Sequence, residues 1–425
     1  MKKIMTLSVI ALLSLGIFAG CGAESAATTP QANDETLEQV TLSALIGQPR
    51  FREQYETYFA KFIERVREEQ GIDLTINLEM PSDGEISMIL QTRMASNNSP
   101  DIFNFHPTND GPTYARAGWL LDLSDQPFVD RLVSFARDAV TIDGQIIGVP
   151  LETTQWGFLY NRDIFNELNL ELPNTLTEMR EVIAVLEAND ITPFVLSYAE
   201  GWIPQLFISL TTGSLIETQN PNFIADMNAG TTSYAEFEQM FEIMDLVNAH
   251  GTARPFEVGA DQGAADFASG AAAMYVQGPW MADSILSVNS NMNFGVAPLP
   301  VDDNPAGTLV NLGFSNGLAV STFSQNQEIA IQLMNFMLDA ELSSDFYQSM
   351  GFNPVADVHQ FDTHPWQSGT VVLVEAGRAY LDPLIPGPVK SESERAFQSY
   401  FAGTMTREEV IDALDNAWAQ YVSHQ

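Results

Sequence analysis

Apolar and polar residues alternate near the start of the chain in a way that predicts a strand, a helix and a second strand. The alternation over 39–46 has the period of a half-buried strand. Residues 51–70 then place aromatic and aliphatic side chains on one helical face, and Gly71 follows as a typical helix stop. Alternation resumes over 74–80. Elements of these lengths in this order form a βαβ unit, which predicts a parallel sheet.

The same two periods recur along the rest of the chain. Helical spacing predicts helices over 85–96, 163–168, 176–189, 233–249, 326–338, 343–350 and 407–421. Alternating or continuously apolar runs predict strands over 158–161, 272–276 and 294–297. The chain has no internal repeat of roughly 20–50 residues and no heptad run. The predicted class is therefore α/β.

The first twenty residues have the pattern of a secretion signal. Lys2 and Lys3 precede an apolar run over 4–18, which is too short for a lasting membrane span. The ending Phe-Ala-Gly-Cys resembles the bacterial lipobox, whose cysteine, here Cys21, is lipidated and becomes the first mature residue. Residues 21–37 are predicted to be a flexible tether. We expect a lipid-anchored protein on the extracellular face of the cell membrane; the alternative is an ordinary signal peptide with a chance cysteine.

Length and composition indicate two globular units held by packing alone. Without residues 1–20 the 425-residue chain has 405 residues, which suits two domains, and 45% of the whole chain is hydrophobic. Cys21 is the only cysteine, so no disulfide is expected within the chain. Removing Lys2 and Lys3 leaves 16 basic against 55 acidic residues, a net charge of −39. Such a surface repels nucleic acid and anionic lipid, which excludes nucleic acid as a partner.

The sequence offers little for metal binding or catalysis. His359 and His364 are five residues apart without the spacing of a helical ligand pair, and the other three histidines are isolated. No cysteine is spare, so neither a metal nor another cofactor is predicted. It contains no His-Glu-x-x-His motif and no glycine-rich phosphate loop. A glycosidase would need two carboxylates across a cleft, and among 55 acidic residues no spacing is diagnostic. We predict that the protein is not an enzyme, and a secreted carbohydrate-active enzyme is the weaker alternative.

Short motifs occur in a fixed order between residues 99 and 355. They are Ser-Pro-Asp-Ile at 99–102, Ala-Gly-Trp-Leu-Leu-Asp-Leu at 117–123, Tyr-Asn-Arg-Asp-Ile-Phe at 160–165, Leu-Pro-Asn-Thr at 172–175, Ala-Ser-Gly-Ala-Ala-Ala-Met at 268–274, Gly-Pro-Trp at 278–280, Phe-Gly-Val-Ala-Pro-Leu-Pro at 294–300 and Gly-Phe-Asn-Pro-Val at 351–355. Together they resemble the family-1 extracellular solute-binding proteins of ABC importers, the group that includes maltose-binding and multiple-sugar-binding proteins. One departure is Leu176, which stands where the family usually has tryptophan.

This resemblance implies a two-lobed periplasmic-binding-protein-like fold with an interlobe cleft and three hinge crossings. The crossings are expected near 149–151, 309–313 and 355–359. Lobe one would then comprise 38–150 plus 312–357, and lobe two 151–310 plus 358–425. The ligand would bind between the lobes, which would close by hinge bending.

The resemblance also implies a function. The protein would bind a mono- or oligosaccharide and deliver it to the permease subunits and ATPase of an ABC importer, which are separate chains. It is expected to be a monomer without a cofactor and to touch the membrane only through its lipid anchor. Binding of another small solute, such as a polyol or a glycoside, is the alternative within this class.

Tryptophans are the leading candidates for contact with a sugar. A flat ring can cover the apolar C–H face of a sugar, and charged or amide side chains can bond its hydroxyl rim. Trp280, in the Gly-Pro-Trp motif, matches the family segment whose tryptophan stacks on the ligand. The resemblance also points to Trp202 and Trp366. For each of these the alternative is a packed core tryptophan, and Trp119, at an apolar position of its motif, is expected to pack.

Other candidates follow from their places relative to the strands and the hinge. Gln155 and Trp156 come after the first expected crossing, and Thr154 stands where maltose-binding members have a ligand-binding carboxylate. Polar residues beyond the carboxyl end of a parallel strand lie where α/β proteins bind ligands. That rule selects Phe105, Asp110, Gln48 and Arg50, and the family resemblance also points to an aromatic and an acidic contact at Phe105 and Asp110.

Overall fold

The computed structural model describes residues 37–82 and 85–424; Cys21 and the predicted signal lie outside this part of the chain. The strands are β1 (Glu38–Leu45), β2 (Ile72–Glu79), β3 (Ile102–Phe105), β4 (Thr141–Ile142), β5 (Gln145–Ile146), β6 (Val149–Trp156), β7 (Phe158–Asn161), β8 (Phe194–Val195), β9 (Met274–Tyr275), β10 (Phe294–Ala297), β11 (Val310–Val320) and β12 (Ala379–Leu381). The helices are α1 (Arg52–Gln70), α2 (Ile86–Ala95), α3 (Gly111–Arg116), α4 (Ser134–Ala139), α5 (Arg162–Glu167), α6 (Leu176–Ala188), α7 (Trp202–Thr218), α8 (Phe223–Ala229), α9 (Met240–Ala249), α10 (Ala260–Ala268), α11 (Ala282–Val288), α12 (Gln327–Met337), α13 (Ser343–Ser349), α14 (Ser368–Glu375), α15 (Gly387–Phe401) and α16 (Arg407–Ser423). None of the helices in the described ranges combines the length and the apolar character that a membrane crossing requires.

The strand–helix–strand unit predicted at the start of the chain is confirmed. β1 and β2 run parallel and pair over all 8 residues of each strand. α1 connects them and buries Tyr55, Phe59 and Val66. It ends at Gly71, whose φ of 67° is a left-handed conformation that glycine adopts without strain. The helix stop expected from the sequence is therefore a true C-cap.

The strands form two main sheets. The larger has the order β12-β11-β3-β1-β2, with β6 also paired to β11, and the smaller has the order β10-β7-β9-β8. β6 and β11 run antiparallel, and their register shifts between Gly313 and Gly317. β11, with 11 residues, therefore connects β3, β6 and β12 within the larger sheet.

Two large hydrophobic cores accompany the two sheets. The first packs α1, α12 and α13: the ring of Tyr58 stacks on Phe346 with centroids 4.3 Å apart, and its hydroxyl donates to the carbonyl oxygen of Phe336 at 2.7 Å. The second is built from α7, α9, α15 and α16, where the fully buried Trp418 donates its indole N–H to Asn228 at 2.9 Å. Each core uses its own set of side chains, as a two-lobed architecture requires.

The helix predicted over 233–249 is wrong at its N-terminal end. Tyr234–Phe237 forms a 3-10 turn, and the α-helix begins only at Met240. The carboxylate of Asp415, on α16, accepts the backbone N–H of Tyr234 at 2.9 Å. A bond to a distant helix fixes this turn, and apolar spacing within the segment carries no sign of it.

The helix α7 is one that amphipathic spacing does not predict. It is buried on nearly all sides, so that even Thr211 and Thr212 are fully buried. The Thr211 hydroxyl is satisfied within the helix, because it donates to the carbonyl oxygen of Phe207 at 2.7 Å. A Cβ at Gly213 would lie 2.0 Å from the ring of Tyr380, so only glycine allows this close packing. Without a polar face, the segment lacks the alternation that marks a surface helix.

A buried ion pair joins α15 to the residue that follows β12. Nζ of Lys390 is 3.1 Å from Oδ2 of Asp382 and 2.7 Å from Oδ1 of Asn109. Lys390 and Asp382 are each 8% exposed, and Asn311 donates to the other carboxylate oxygen at 3.0 Å. Burial alone raises the pKa of Asp382, but the Lys390 ammonium and these hydrogen bonds outweigh it and hold that pKa below its usual range. The ammonium thus connects α15, the residue after β12 and the loop after β3.

Candidate ligand-binding cleft

Two adjoining cavities form a cleft bordered by elements of both cores. The cavities have volumes of about 70 and 550 Å³ and share Arg50, Glu152 and Trp280 in their walls. Arg50 precedes α1, Glu152 lies on β6, and Trp280 lies in the 3-10 turn Pro279–Met281 before α11. We call the two cavities together the cleft. Since the cleft lies between elements of the two hydrophobic cores, it corresponds to the interlobe site expected from the sequence.

Six of the nine binding residues expected from the sequence line the cleft. They are Trp280, Trp202, Trp366, Asp110, Phe105 and Arg50. They come from segments far apart in the chain, so their common location is a product of the fold and not of sequence proximity. Whether each contacts a ligand stays a prediction.

The other three lie behind the wall of the cleft. Gln48 is fully buried and accepts a hydrogen bond from the Tyr55 hydroxyl at 2.8 Å. Gln155 and Trp156 are 8% and 5% exposed, and neither lines the cavities. Trp156 instead packs edge-on against Trp280, with ring centroids 5.3 Å apart and planes at 64°. In this structure these side chains support the wall and are not part of its surface.

The ring of Trp280 is held from several directions while it lines both cavities. Its indole N–H donates to Oε1 of the buried Gln277 at 2.8 Å, and Trp156 packs against it edge-on. A Cβ at Gly278 would lie 2.1 Å from the Cζ3 atom of the Trp280 ring, so the ring folds over its own backbone only because that residue is glycine. The side chain is only partly exposed, and its orientation is fixed before any ligand arrives.

Trp366 shares its stacking surface with rings of the protein. It lies parallel to Phe294, with centroids 5.4 Å apart, and to His364, with centroids 4.4 Å apart. Part of its stacking surface is therefore already used, which makes Trp280 and Trp202 stronger stacking candidates. Trp119 packs on Tyr114, with centroids 5.0 Å apart, as expected from its apolar motif.

Glu152 is a cleft residue that the sequence analysis missed. It lines both cavities, and Thr154, two residues later on β6, lines the smaller one. Residues two apart on a strand point to the same side of the sheet. A carboxylate thus lies on the same side of β6 as Thr154, the position at which maltose-binding members of the family have theirs. One signal could have found it, because Glu152 is the only charged residue between positions 149 and 156.

Asp110 and His106 form a small polar group at the wall. The backbone N–H of His106 donates to Oδ2 of Asp110 at 3.0 Å, and Asn109 donates its N–H to Nδ1 of His106 at 3.3 Å. Burial raises the pKa of Asp110, opposed by the His106 N–H and by the charge of Lys390. Burial, together with that same charge, lowers the pKa of His106 to about 3. His106 is therefore neutral and accepts a hydrogen bond at Nδ1.

A second histidine is also neutral in the folded protein, and together they predict acid sensitivity. Burial lowers the pKa of His359 to about 4, and Val355 donates its N–H to Nδ1 at 3.2 Å. The ordinary histidine pKa is about 6.5, so below that pH these two side chains become protonated in the unfolded chain while they stay neutral in the folded chain. This contribution to stability is complete above about pH 6.5 and is lost as the pH falls toward 4 and 3.

We expect His359→Gln to flatten the fall in unfolding free energy between pH 6.5 and 4, by roughly 1 kcal/mol per pH unit near pH 5. Urea unfolding at a series of pH values measures this slope. His424→Gln, at an exposed position near the C-terminus, is the matched control. A His359→Gln slope equal to that of the wild type would contradict the assignment.

Two arrangements that are typical of catalytic sites do not occur in the part of the chain that the structure describes. Within residues 37–82 and 85–424, no group of three or more His, Cys, Asp or Glu side chains is arranged to hold a metal ion. Residues 313–317 read Gly-Phe-Ser-Asn-Gly, which matches the Gly-x-Ser-x-Gly pattern of hydrolases. That pattern acts at a sharp strand-to-helix turn, whereas here it lies inside β11, which continues to Val320. The motif therefore does not build a nucleophile elbow.

Comparisons with known proteins agree with this geometry. A model of the bacterial extracellular solute-binding protein family matches residues 59–370. The multiple sugar-binding protein of Streptococcus mutans is 24% identical over 362 residues, which cover 84% of this chain and 82% of that protein. A chitin oligosaccharide binding protein of known structure is 22% identical and superposes with a TM-score of 0.76 over 91% of this chain and 99% of its own.

A sugar transporter of Bacillus licheniformis, solved in complex with stachyose, is 17% identical and superposes with a TM-score of 0.71, over 91% of this chain and 100% of its own. At these sequence identities the structural similarities are evidence for the fold alone, and they confirm the predicted two-lobed α/β architecture. The family model spans most of the chain and both sides of the cleft. The chain therefore belongs to the family of bacterial extracellular solute-binding proteins.

Proposed function

We propose that this protein is the substrate-binding component of an ABC importer, that it binds an oligosaccharide in the cleft, and that it delivers this ligand to a membrane permease. The observation that supports a sugar best is the wall of the larger cavity, where Trp202 and Trp280 accompany Arg50, Asp110 and Glu152. Aromatic rings suit the C–H face of a sugar, and charged side chains suit its hydroxyls. The relatives named as sugar-binding proteins support the same reading.

The lobe assignment from the sequence is part of this proposal. It has 38–150 plus 312–357 as lobe one and 151–310 plus 358–425 as lobe two. Tyr58 and Phe346, in one core, fall in lobe one, and Phe223 and Trp418, in the other, fall in lobe two, which supports the division. The six lining residues expected from the sequence are the proposed ligand contacts, with Glu152 added.

A ligand screen with a conformational readout tests the function. The Cys21→Ser protein would be scanned for thermal stabilisation by stachyose, raffinose and chitin and xylan oligosaccharides, with free polyols as comparison. A sugar at 100 times its Kd should stabilise the folded state by about 2.7 kcal/mol. The bound protein should also show a smaller radius of gyration in solution scattering. Stabilisation by polyols alone, or hydrolysis of an oligosaccharide, would overturn the proposal in favour of the other candidates.

We also propose that Cys21 carries the lipid that anchors the protein to the cell membrane. The support is the Phe-Ala-Gly-Cys ending of the signal pattern. Cys21→Ser is expected to move the protein from the membrane fraction to the medium and to leave its sugar affinity unchanged, because none of the residues that line the cleft is altered. Fractionation with mass spectrometry of the mature N-terminus measures this. Wild-type protein recovered from the medium with an unmodified Cys21 would refute the anchor.

A further inference from the structure

One carboxylate outside the cleft is bonded to two elements that line it. Oε2 of Glu200 accepts the indole N–H of Trp202 at 2.7 Å, and its Oε1 accepts the backbone N–H of Ala260 at 2.9 Å. Trp202 is the first residue of α7 and Ala260 is the first residue of α10. Both line the larger cavity, whereas Glu200 does not. A single side chain therefore connects the starts of two helices on one wall.

Both hydrogen bonds to Glu200 are charge-assisted, because a carboxylate accepts them from N–H groups. Such bonds are stronger than hydrogen bonds between neutral groups. The first backbone N–H groups of a helix have no partner within the helix, and a negative charge near that end is favourable. The Glu200 carboxylate passes close to the backbone of Gly259, where a Cβ would lie 2.7 Å from Oε1. A side chain at that position would therefore interfere with the hydrogen bond from Ala260 to Glu200. The carboxylate is thus fitted between the two helices.

The second cleft tryptophan is held in a similar way. The indole N–H of Trp280 donates to Gln277, three residues earlier, just as that of Trp202 donates to Glu200, two residues earlier. Neither indole N–H is left to bond a ligand in this arrangement. Both tryptophans therefore offer the ligand the surface of a ring whose orientation is set by a neighbouring acceptor.

We propose that Glu200 is a positioning residue for ligand binding, which fixes the ring of Trp202 and its separation from the first turn of α10, where Asp261 also lines the cleft. This inference rests on the proposed function, because the ring is useful only if a ligand stacks on it. Because the ring of Trp202 is already ordered, ligand binding does not have to restrict that side chain, and the conformational entropy lost on binding is smaller. The role differs from direct contact, since Glu200 acts through Trp202 and Ala260.

The exposure of Glu200 makes the role testable without disturbing the fold. Glu200→Ala removes both bonds from an exposed position, while Glu200→Gln keeps one acceptor oxygen and can retain one of them. Glu181→Ala is the matched control, because it removes the same charge from an exposed site on α6 in the same group of elements. The fold of each variant is verified by its unfolding transition.

Two measurements separate this role from the proposed function. Nitrogen-15 labelling of the six tryptophans gives six indole N–H signals, and the signal of Trp202 is identified by its loss in Trp202→Phe. Without any ligand, Glu200→Ala should shift that signal and speed hydrogen exchange at Ala260, Glu200→Gln should do so in part, and Glu181→Ala should not. Calorimetry with stachyose, or with the chitin or xylan oligosaccharide that stabilises the wild type most, should show a roughly tenfold rise in Kd for Glu200→Ala and a smaller one for Glu200→Gln.

The outcomes are distinct. An unchanged Trp202 signal in Glu200→Ala overturns the inference, and so does a changed signal with an unchanged Kd. A Kd that rises equally in Glu181→Ala also overturns it, because the effect would then be one of charge alone. If none of these sugars binds the wild type, the proposed function fails and the positioning of a sugar site fails with it. The ligand-free signals still decide whether Glu200 holds the ring.

Discussion

Trp280→Ala is expected to weaken oligosaccharide binding by about 2–4 kcal/mol, which is ~30-fold to nearly 1000-fold in Kd. The ring lines both cavities and is fixed by Gln277, Trp156 and the absence of a side chain at Gly278. Its loss removes a large apolar surface that is already oriented, so the ligand loses contact area without recovering any ordering cost. Titration calorimetry with the sugar found in the screen measures the effect.

The same substitution should cost much less stability than the loss of a core tryptophan. Trp280 is partly exposed, and we expect Trp280→Ala to lower the unfolding free energy by roughly 1–2 kcal/mol. Trp418→Ala is the comparison: that ring is fully buried, and its removal should cost about 3–5 kcal/mol. Trp280→Phe should recover part of the affinity. A large loss of stability with unchanged affinity in the folded fraction would show that Trp280 is a core residue.

Lys390→Met should destabilise the folded protein by about 3–5 kcal/mol, measured by urea unfolding at pH 7. The reason is the buried partner that remains. Asp382 is 8% exposed, and without the ammonium its negative charge would be stabilised mainly by the hydrogen bond from the Asn311 amide. Asn109 would lose its bond to Nζ as well.

A double variant separates the ion pair from simple loss of packing. Lys390→Met with Asp382→Asn removes both charges, and it should recover a substantial part of the stability, because buried ion pairs are often replaceable when both members change. Lys61→Met, at an exposed position on α1, is the control for losing one positive charge. Equal losses in the single and double variants would mean that the side-chain stem, and not the charge, makes the contribution.

Local pattern was sufficient for the elements whose two faces differ. α1 has a polar face and a stop at Gly71, and β1 and β2 alternate, so their type and their parallel pairing could be predicted. α7 could not, because both its faces are buried. The turn at Tyr234–Phe237 could not either, because its cause is a carboxylate on α16, far away in the sequence.

The candidate site was predictable in part from two signals. The strand-end rule selected Arg50 and Asp110, a family motif selected Trp280, and all three line the cleft. Gln48 shows the limit of the strand-end rule: it follows β1 as required, but the Tyr55 hydroxyl bonds it inside the fold. Glu200 lies outside the reach of either rule, because its role depends on two helix starts that only the fold brings together.

The scarcity of lysine gives the chain an unusual response to amine-reactive reagents. Only Lys61 and Lys390 remain once residues 1–20 are removed, and Lys390 is buried with its ammonium bound to Asp382 and Asn109. Lys61 is exposed on α1. A succinimidyl dye or an amine-coupling sensor surface would therefore attach at this one lysine, in addition to any free α-amino group. Since Lys61 does not line the cleft, coupling through this side chain leaves the ligand site open.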